Sequence, residues 1–117
     1  MHSVTSNAVY NATRNINSAD ADITYHDAKM NFRRVGRVVT FSIGGAFRNV
    51  PAGGWHNVGT VPEGYRPPVE QLTFREQTGV GLVLRFFTSG TITLYNYTGA
   101  SVSVSNGFLE GTWITNE

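Results

Sequence analysis

The sequence predicts an all-β protein, with an antiparallel β-sandwich or jelly-roll-like head. From residue 23 onward, β-branched and aromatic residues fill short runs, and glycine and proline separate these runs. No convincing helical pattern lies between the runs, which argues against an α/β fold. About eight short strands with regular turns are typical of sandwiches and jelly rolls.

Candidate strands follow one another along the second part of the chain. The segment 29–43 is predicted to form a hairpin that turns at Gly36, because alternate residues such as Val39 and Phe41 share one face. The remaining strand candidates span residues 55–61, 70–76, 80–87, 91–97, 101–105 and 108–115.

Two of these candidate strands have informative faces. In one, Ile92 and Leu94 are predicted to point towards the core, whereas Tyr95 and Tyr97 line the opposite face with threonines. The segment 80–87 has apolar residues on both of its faces. We therefore expect this strand to be covered on both sides.

The start of the chain has a different pattern, which is polar and rich in asparagine. Val9, Ala12 and Ile16 follow at spacings of three and four, which predicts a short helix with one narrow apolar stripe. Such a helix is too short to be stable alone, and three parallel copies would bury the stripe. The predicted organisation is a helical neck over residues 1–21 and a β-sandwich head over 22–117, assembled as a homotrimer. A disordered tail, or a helix packed on its own domain, remains an alternative for the neck.

The composition excludes several classes of function. A net charge of +1 provides no broad attraction to nucleic acid or to an anionic membrane. No apolar run approaches the roughly 20 residues of a membrane-spanning helix, so we expect no membrane insertion. The absence of cysteine excludes disulfides and zinc sites built on thiolates. Charged residues make up 15%, below the about 25% typical of soluble domains, which indicates an oligomer.

No catalytic or metal-binding pattern is present in the sequence. His2, His26 and His56 lie too far apart for a metal-ligand motif, and there is no Gly-x-Ser-x-Gly segment. Glu70 and Glu76 are separated by too much strand for the carboxylate pair of a glycosidase. A pair contributed by different strands or subunits stays open. We expect no enzymatic activity, no metal and no cofactor.

The remaining candidates are aromatic and polar side chains suited to sugar recognition. Aromatic rings stack on the apolar C–H faces of sugars, while amides, imidazoles, carboxylates and guanidinium groups bond the hydroxyls. The predicted carbohydrate-binding residues are Trp55, His56, Asn57, Arg75, Glu76, Tyr95 and Tyr97.

Each aromatic candidate has a structural alternative. Trp55 and Trp113 could instead fill the core or a trimer axis, and for Trp113 this is the favoured interpretation. Tyr95 and Tyr97 could equally line a subunit interface.

Three segments resemble parts of bacteriophage tail and fibre proteins. Residues 3–10, Ser-Val-Thr-Ser-Asn-Ala-Val-Tyr, resemble a recurrent segment that leads into a C-terminal domain in those proteins. Residues 59–68 look like the "leucine-proline-x-glycine-tyrosine-arginine-proline" turn of phage receptor-binding heads, with valine in place of leucine. Residues 111–116 are similar to the last strand of such heads.

The resemblance implies the C-terminal receptor-binding head of a phage tail fibre or baseplate protein. Such a head is a homotrimer in the virion that acts outside the host cell, binds a cell-surface saccharide without cleaving it, and joins other virion proteins through its N-terminal side. Tyr65 and Arg66 then belong to the scaffold. One alternative is a structural head fibre or trimerisation tip with no ligand of its own. A depolymerase fragment is the other.

Overall fold

The computed structural model describes residues 16–75, 81–105 and 107–117, with backbone alone for Ile16 and residues 72–75. These ranges contain ten strands in three antiparallel sheets and no helix, so the predicted all-β class is confirmed. The strands are β1 (Ile16–Ala21), β2 (Met30–Val35), β3 (Val38–Ile43), β4 (Phe47–Val50), β5 (Trp55–Thr60), β6 (Gln71–Arg75), β7 (Leu82–Phe86), β8 (Thr91–Asn96), β9 (Val102–Val104) and β10 (Leu109–Ile114).

Two four-stranded sheets make up most of the fold. Sheet I has the order β1-β2-β3-β10, in which a three-stranded meander is extended by the C-terminal strand. Sheet II has the order β5-β8-β7-β6. In sheet II the meander β6-β7-β8 is joined by β5 beside β8, which is the spatial order of a Greek key. Strands β4 and β9 form a small third sheet.

The β2–β3 hairpin forms where the sequence predicts it. Val35 pairs with Val38, and Gly36 lies between them at a φ of 60°, in the left-handed region that hairpin turns require and glycine tolerates. Val39 and Phe41 are buried, as the predicted alternation requires. The register of this hairpin therefore gives sheet I one apolar face.

The apolar faces of the two large sheets meet in an aromatic core. Phe86 of sheet II lies with its ring centroid 4.8 Å from that of Phe41 and 5.3 Å from that of Trp113, both in sheet I. The indole Nε1 of Trp113 donates a hydrogen bond of 2.8 Å to the carbonyl of Tyr65, so its one polar group is satisfied. This packing is consistent with a β-sandwich and confirms the core interpretation of Trp113.

Gly111 is required by the close approach of Phe41 to β10. A Cβ at this position would lie 2.5 Å from Cε1 of the Phe41 ring, which is a severe overlap. The two residues are also paired across β3 and β10. The glycine therefore lets the ring lie flat against the neighbouring strand.

The predicted neck is wrong for residues 16–21. These residues form β1, which pairs with β2 from Ile16 opposite Val35 to Ala21 opposite Met30. Ala19 and Ala21 pack against the core, so a period of two replaces the helical period at this point. The earlier residues of the predicted neck lie outside the described residues.

Strand β4 was not predicted from the sequence. It pairs with β9 through Phe47 opposite Val104 and Val50 opposite Val102, with an irregularity between them. Asn49 has a φ of 53° inside this strand, and the irregular backbone breaks the alternation that would reveal it.

The two tryptophans provide a direct test of this core. We expect Trp113→Ala to lower the free energy of unfolding by about 3–5 kcal/mol, because it leaves a cavity and removes the partner of the Tyr65 carbonyl. The matched change Trp55→Ala should cost less than about 1.5 kcal/mol, because Trp55 is exposed. Urea denaturation followed by circular dichroism measures both. Equal losses would contradict the described packing.

Candidate functional site

Sheet II has one face in the core and one face directed outward. On β8, Ile92 and Leu94 are fully buried in the core, while Tyr95 lies on the outer face, as predicted. The register pairs Trp55 with Tyr95 and Asn57 with Thr93 across β5 and β8. Opposite residues of an antiparallel pair share a face, so the aromatic and amide side chains of β5 join those of β8.

The outer face presents a row of aromatic rings, which we call the aromatic ribbon: Tyr97, Tyr95, Trp55 and Phe87, with the guanidinium of Arg85 between the last two. Tyr95 and Tyr97 are stacked with 6.1 Å between ring centroids and 21° between planes. The Trp55 ring centroid lies 5.1 Å from that of Tyr95. Trp55 is 42% exposed and Tyr97 54% exposed, so these rings have surface available to a ligand.

Arg85 links the aromatic ribbon to a carboxylate. Its guanidinium carbon lies 5.3 Å from the ring centroid of Trp55 and 4.8 Å from that of Phe87. Its Nε donates a hydrogen bond to the carboxylate of Glu70, and the two side chains form an ion pair. Cation–π contact with two rings and a charge-assisted hydrogen bond together hold the planar group in one orientation.

Small side chains lie buried beneath the aromatic ribbon. Thr93 is paired with Arg85 on β7, and although it points outward it is buried, with Oγ1 donating to the Arg85 carbonyl at 3.4 Å. Val83, opposite Tyr95, is also buried on this face. The predicted covering of β7 on both faces is therefore confirmed at Val83, whereas Arg85 and Phe87 on the same face are only partly buried.

The end of the ribbon at Tyr97 is positioned by a buried amide. Asn96 is fully buried, and its Nδ2 donates to the carbonyls of Val50 at 3.0 Å and Ala100 at 2.7 Å. Its Oδ1 accepts from the backbone N–H of Thr98 at 3.0 Å. The backbone N–H of Tyr97 donates to the carbonyl of Gly81 at 3.0 Å. These bonds fix the backbone on both sides of Tyr97, so its ring is not carried by a loose loop.

Gly81 makes room for the Tyr97 ring. Its φ is 58°, and a Cβ there would lie 3.3 Å from a ring carbon of Tyr97 and 2.7 Å from the methyl of Thr98. A side chain at this position would therefore displace the last ring of the ribbon.

The predicted sugar-binding residues are only partly brought together. Trp55, Asn57, Tyr95 and Tyr97 share the outer face of sheet II. His56 does not join them, because neighbouring residues on a strand alternate between faces.

His56 is paired with Leu94 and packs edge-on against Tyr25, with ring centroids 6.2 Å apart. Its Nε2 is buried without a hydrogen-bond partner among the described residues. The side chain of Arg75 and the whole of Glu76 lie outside the described residues, so their prediction stays untested.

Arg85, Phe87 and Glu70 were missed by the sequence reasoning. The alternation of Val83, Arg85 and Phe87 along one strand is a signal that they share a face. What the sequence does not contain is the strand order that places this face beside Trp55.

The pKa shifts resolved in the structure lie away from the aromatic ribbon. Arg48 Nε donates to both carboxylate oxygens of Asp27, at 2.9 and 3.1 Å, and this hydrogen bonding lowers the pKa of Asp27 and raises that of Arg48. Both groups are exposed, so the pair has a small effect on stability.

The described ranges hold no group of three histidine, aspartate or glutamate side chains placed to bind a metal ion. Nor do they include a helix of the length and apolarity needed to cross a membrane.

No protein-family model matches this chain, and no curated protein matches it with significant similarity. The geometry of the outer face of sheet II and the sequence resemblance are therefore the grounds for a function.

Proposed function

We propose that this chain is a non-catalytic receptor-binding head of a bacteriophage tail or fibre protein, and that the aromatic ribbon binds a host cell-surface saccharide. The observation that supports this most is the exposure of Trp55 and Tyr97 on one sheet face with Tyr95 between them. Exposed aromatic side chains placed side by side are typical of binding surfaces.

The chemistry of the ribbon suits a sugar. Ring faces stack on the apolar C–H surface of a pyranose, and polar groups beside them bond its hydroxyls. Asn57 and the Arg85–Glu70 pair supply donors and acceptors next to Trp55. Because the rings lie on or beside paired strands, little conformational entropy is lost when a ligand binds.

The extent of the ribbon favours a polymer over a single sugar. Four rings follow one another as neighbours, from Tyr97 through Tyr95 and Trp55 and across Arg85 to Phe87, which is more surface than one pyranose covers. Weak contacts at successive sugars would add up, and several copies of the head on one particle would add avidity.

The phage assignment rests on the sequence resemblance, and the structure brings two of the resembling segments into contact. Trp113 Nε1 donates to the carbonyl of Tyr65. The backbone N–H groups of Gly64 and Arg66 donate to the Glu117 carboxylate at 2.9 and 3.2 Å. The turn and the last strand therefore form one structural unit, with Tyr65 and Arg66 in the scaffold.

We propose further that the head is a homotrimer whose subunits meet at one end of sheet I. Val35, Val38 and Ile114 are all exposed there, and the register places them side by side on three strands. Ile16 pairs with Val35, so β1 begins at this apolar row. The same row favours the second candidate function, a structural trimerisation tip without a ligand.

Alanine substitutions in the ribbon test saccharide binding. We expect Trp55→Ala and Tyr97→Ala each to weaken binding to host cells, or to an array of bacterial surface glycans, by at least about tenfold, since aromatic anchors dominate binding surfaces. Phe108→Ala is the matched control, because Phe108 is an exposed aromatic residue outside sheet II. Wild-type affinity in folded ribbon variants would contradict the proposed site.

A charge in the apolar row tests the trimer. We expect Val38→Asp to convert a trimer to monomers in size-exclusion chromatography with light scattering, because it buries a carboxylate at the proposed contact. Thr40→Asp, on the same outer face of β3, is the control. A monomeric wild-type protein at micromolar concentration would contradict trimer formation. A stable trimer that binds no host cell would favour the structural tip.

A further inference from the structure

We infer that the aromatic ribbon selects neutral sugars with two adjacent hydroxyls, which the Arg85–Glu70 pair binds together. This inference rests on the proposed function and specifies its ligand class. Its basis is the position of the Arg85 guanidinium over the Trp55 ring, where it is ion-paired with Glu70.

The two side chains have complementary hydrogen-bonding roles. A guanidinium only donates and a carboxylate only accepts, whereas a hydroxyl does both. In the described residues, the terminal nitrogens Nη1 and Nη2 of Arg85 have no hydrogen-bond partner, because the bond to Glu70 uses Nε. One hydroxyl of a sugar can therefore accept from Arg85, and its neighbour can donate to the carboxylate of Glu70.

The pair is already held in place before a ligand arrives. The guanidinium lies between the rings of Trp55 and Phe87, at 5.3 and 4.8 Å from their centroids. Both charged side chains keep partial exposure, at 32% for Arg85 and 41% for Glu70. A sugar that stacks on Trp55 would thus present its hydroxyls to groups that are ordered and still accessible.

The charge of the surface determines which sugars fit. Arg85 and Glu70 together have no net charge, and the other described polar side chains of this outer face are uncharged: Asn57, Thr60, Thr91, Thr93, Tyr95 and Tyr97. A uronate that bonds Arg85 would also bring its carboxylate close to Glu70, and an amino sugar that bonds Glu70 would bring its ammonium close to Arg85. The repulsion offsets the attraction while the charge of the sugar still loses hydration, whereas a neutral diol satisfies both groups.

The test compares neutral polymers with acidic counterparts of the same backbone. Galactan and mannan are immobilised beside the same polymers oxidised at C6 to the uronate, and binding is measured by surface plasmon resonance. We expect the wild type to bind the neutral form at least about tenfold more tightly. Raising the salt concentration should change that binding less than twofold, because no net charge is involved.

Substitution of one carboxylate separates the role of the pair from that of the rings. We expect Glu70→Gln to weaken binding to the neutral polymer about tenfold and to reverse or remove the discrimination against the uronate. Asp27→Asn is the matched control, because Asp27 pairs with Arg48 in the same way outside sheet II. This control should bind both polymers as the wild type does.

The possible results distinguish the two proposals. If the wild type binds the uronate as tightly as the neutral polymer or more tightly, and Trp55→Ala still loses this binding, the inference is overturned. The proposed saccharide site would then remain supported. Unchanged discrimination in Glu70→Gln would overturn it as well. If the wild type binds none of the four polymers and no host cell, the proposed function fails and the inference fails with it.

Discussion

The mutual packing of Phe86, Phe41 and Trp113 holds the two large sheets together. It fixes which face of sheet II is turned to the core. Because side chains alternate strictly along a strand, the same choice sends Arg85 and Tyr95 to the outside. A slip of one residue in β7 would exchange the two faces of that strand, and the core would then have to accept Arg85.

The outer face of sheet II combines order with exposure. Thr93 and Val83 are buried beneath the larger side chains, so the base of the ribbon excludes water while its rings remain accessible. Hydrogen bonds and ion pairs at the edge of such a surface are less screened than those in open water. The buried amide of Asn96 also contributes to the order of this face, because its hydrogen bonds fix the turn that carries Tyr97.

The sequence predicted correctly those features that the local alternation of apolar and polar residues determines. The hairpin around Gly36, the inward residues of β8 and the core position of Trp113 all follow from patterns a few residues long. The sequence-based predictions failed where pairing with a strand distant in sequence determines the local structure. Ile16 completes the helical spacing of Val9 and Ala12 in sequence, yet pairing with β2 makes residues 16–21 a strand.

The candidate site likewise combines features that a local pattern predicts with features that depend on the strand order. The sequence placed Tyr95 and Tyr97 on one face correctly, and the register then added Trp55 and Asn57. His56 was expected beside its neighbours, but alternation turns it to the opposite side of the sheet. Arg85 becomes part of the surface only through the order β5-β8-β7-β6, which no local pattern specifies.

Hydroxyl-radical footprinting with mass spectrometry, on the assembled protein with and without host surface polysaccharide, distinguishes a ligand-binding ribbon from a contact between subunits. We expect Trp55 and Tyr97 to be oxidised in the assembly alone and to become protected when the polysaccharide is added, while Trp113 is protected throughout. If Trp55 and Tyr97 are already protected without polysaccharide, the aromatic ribbon is a subunit contact and the proposed site is wrong.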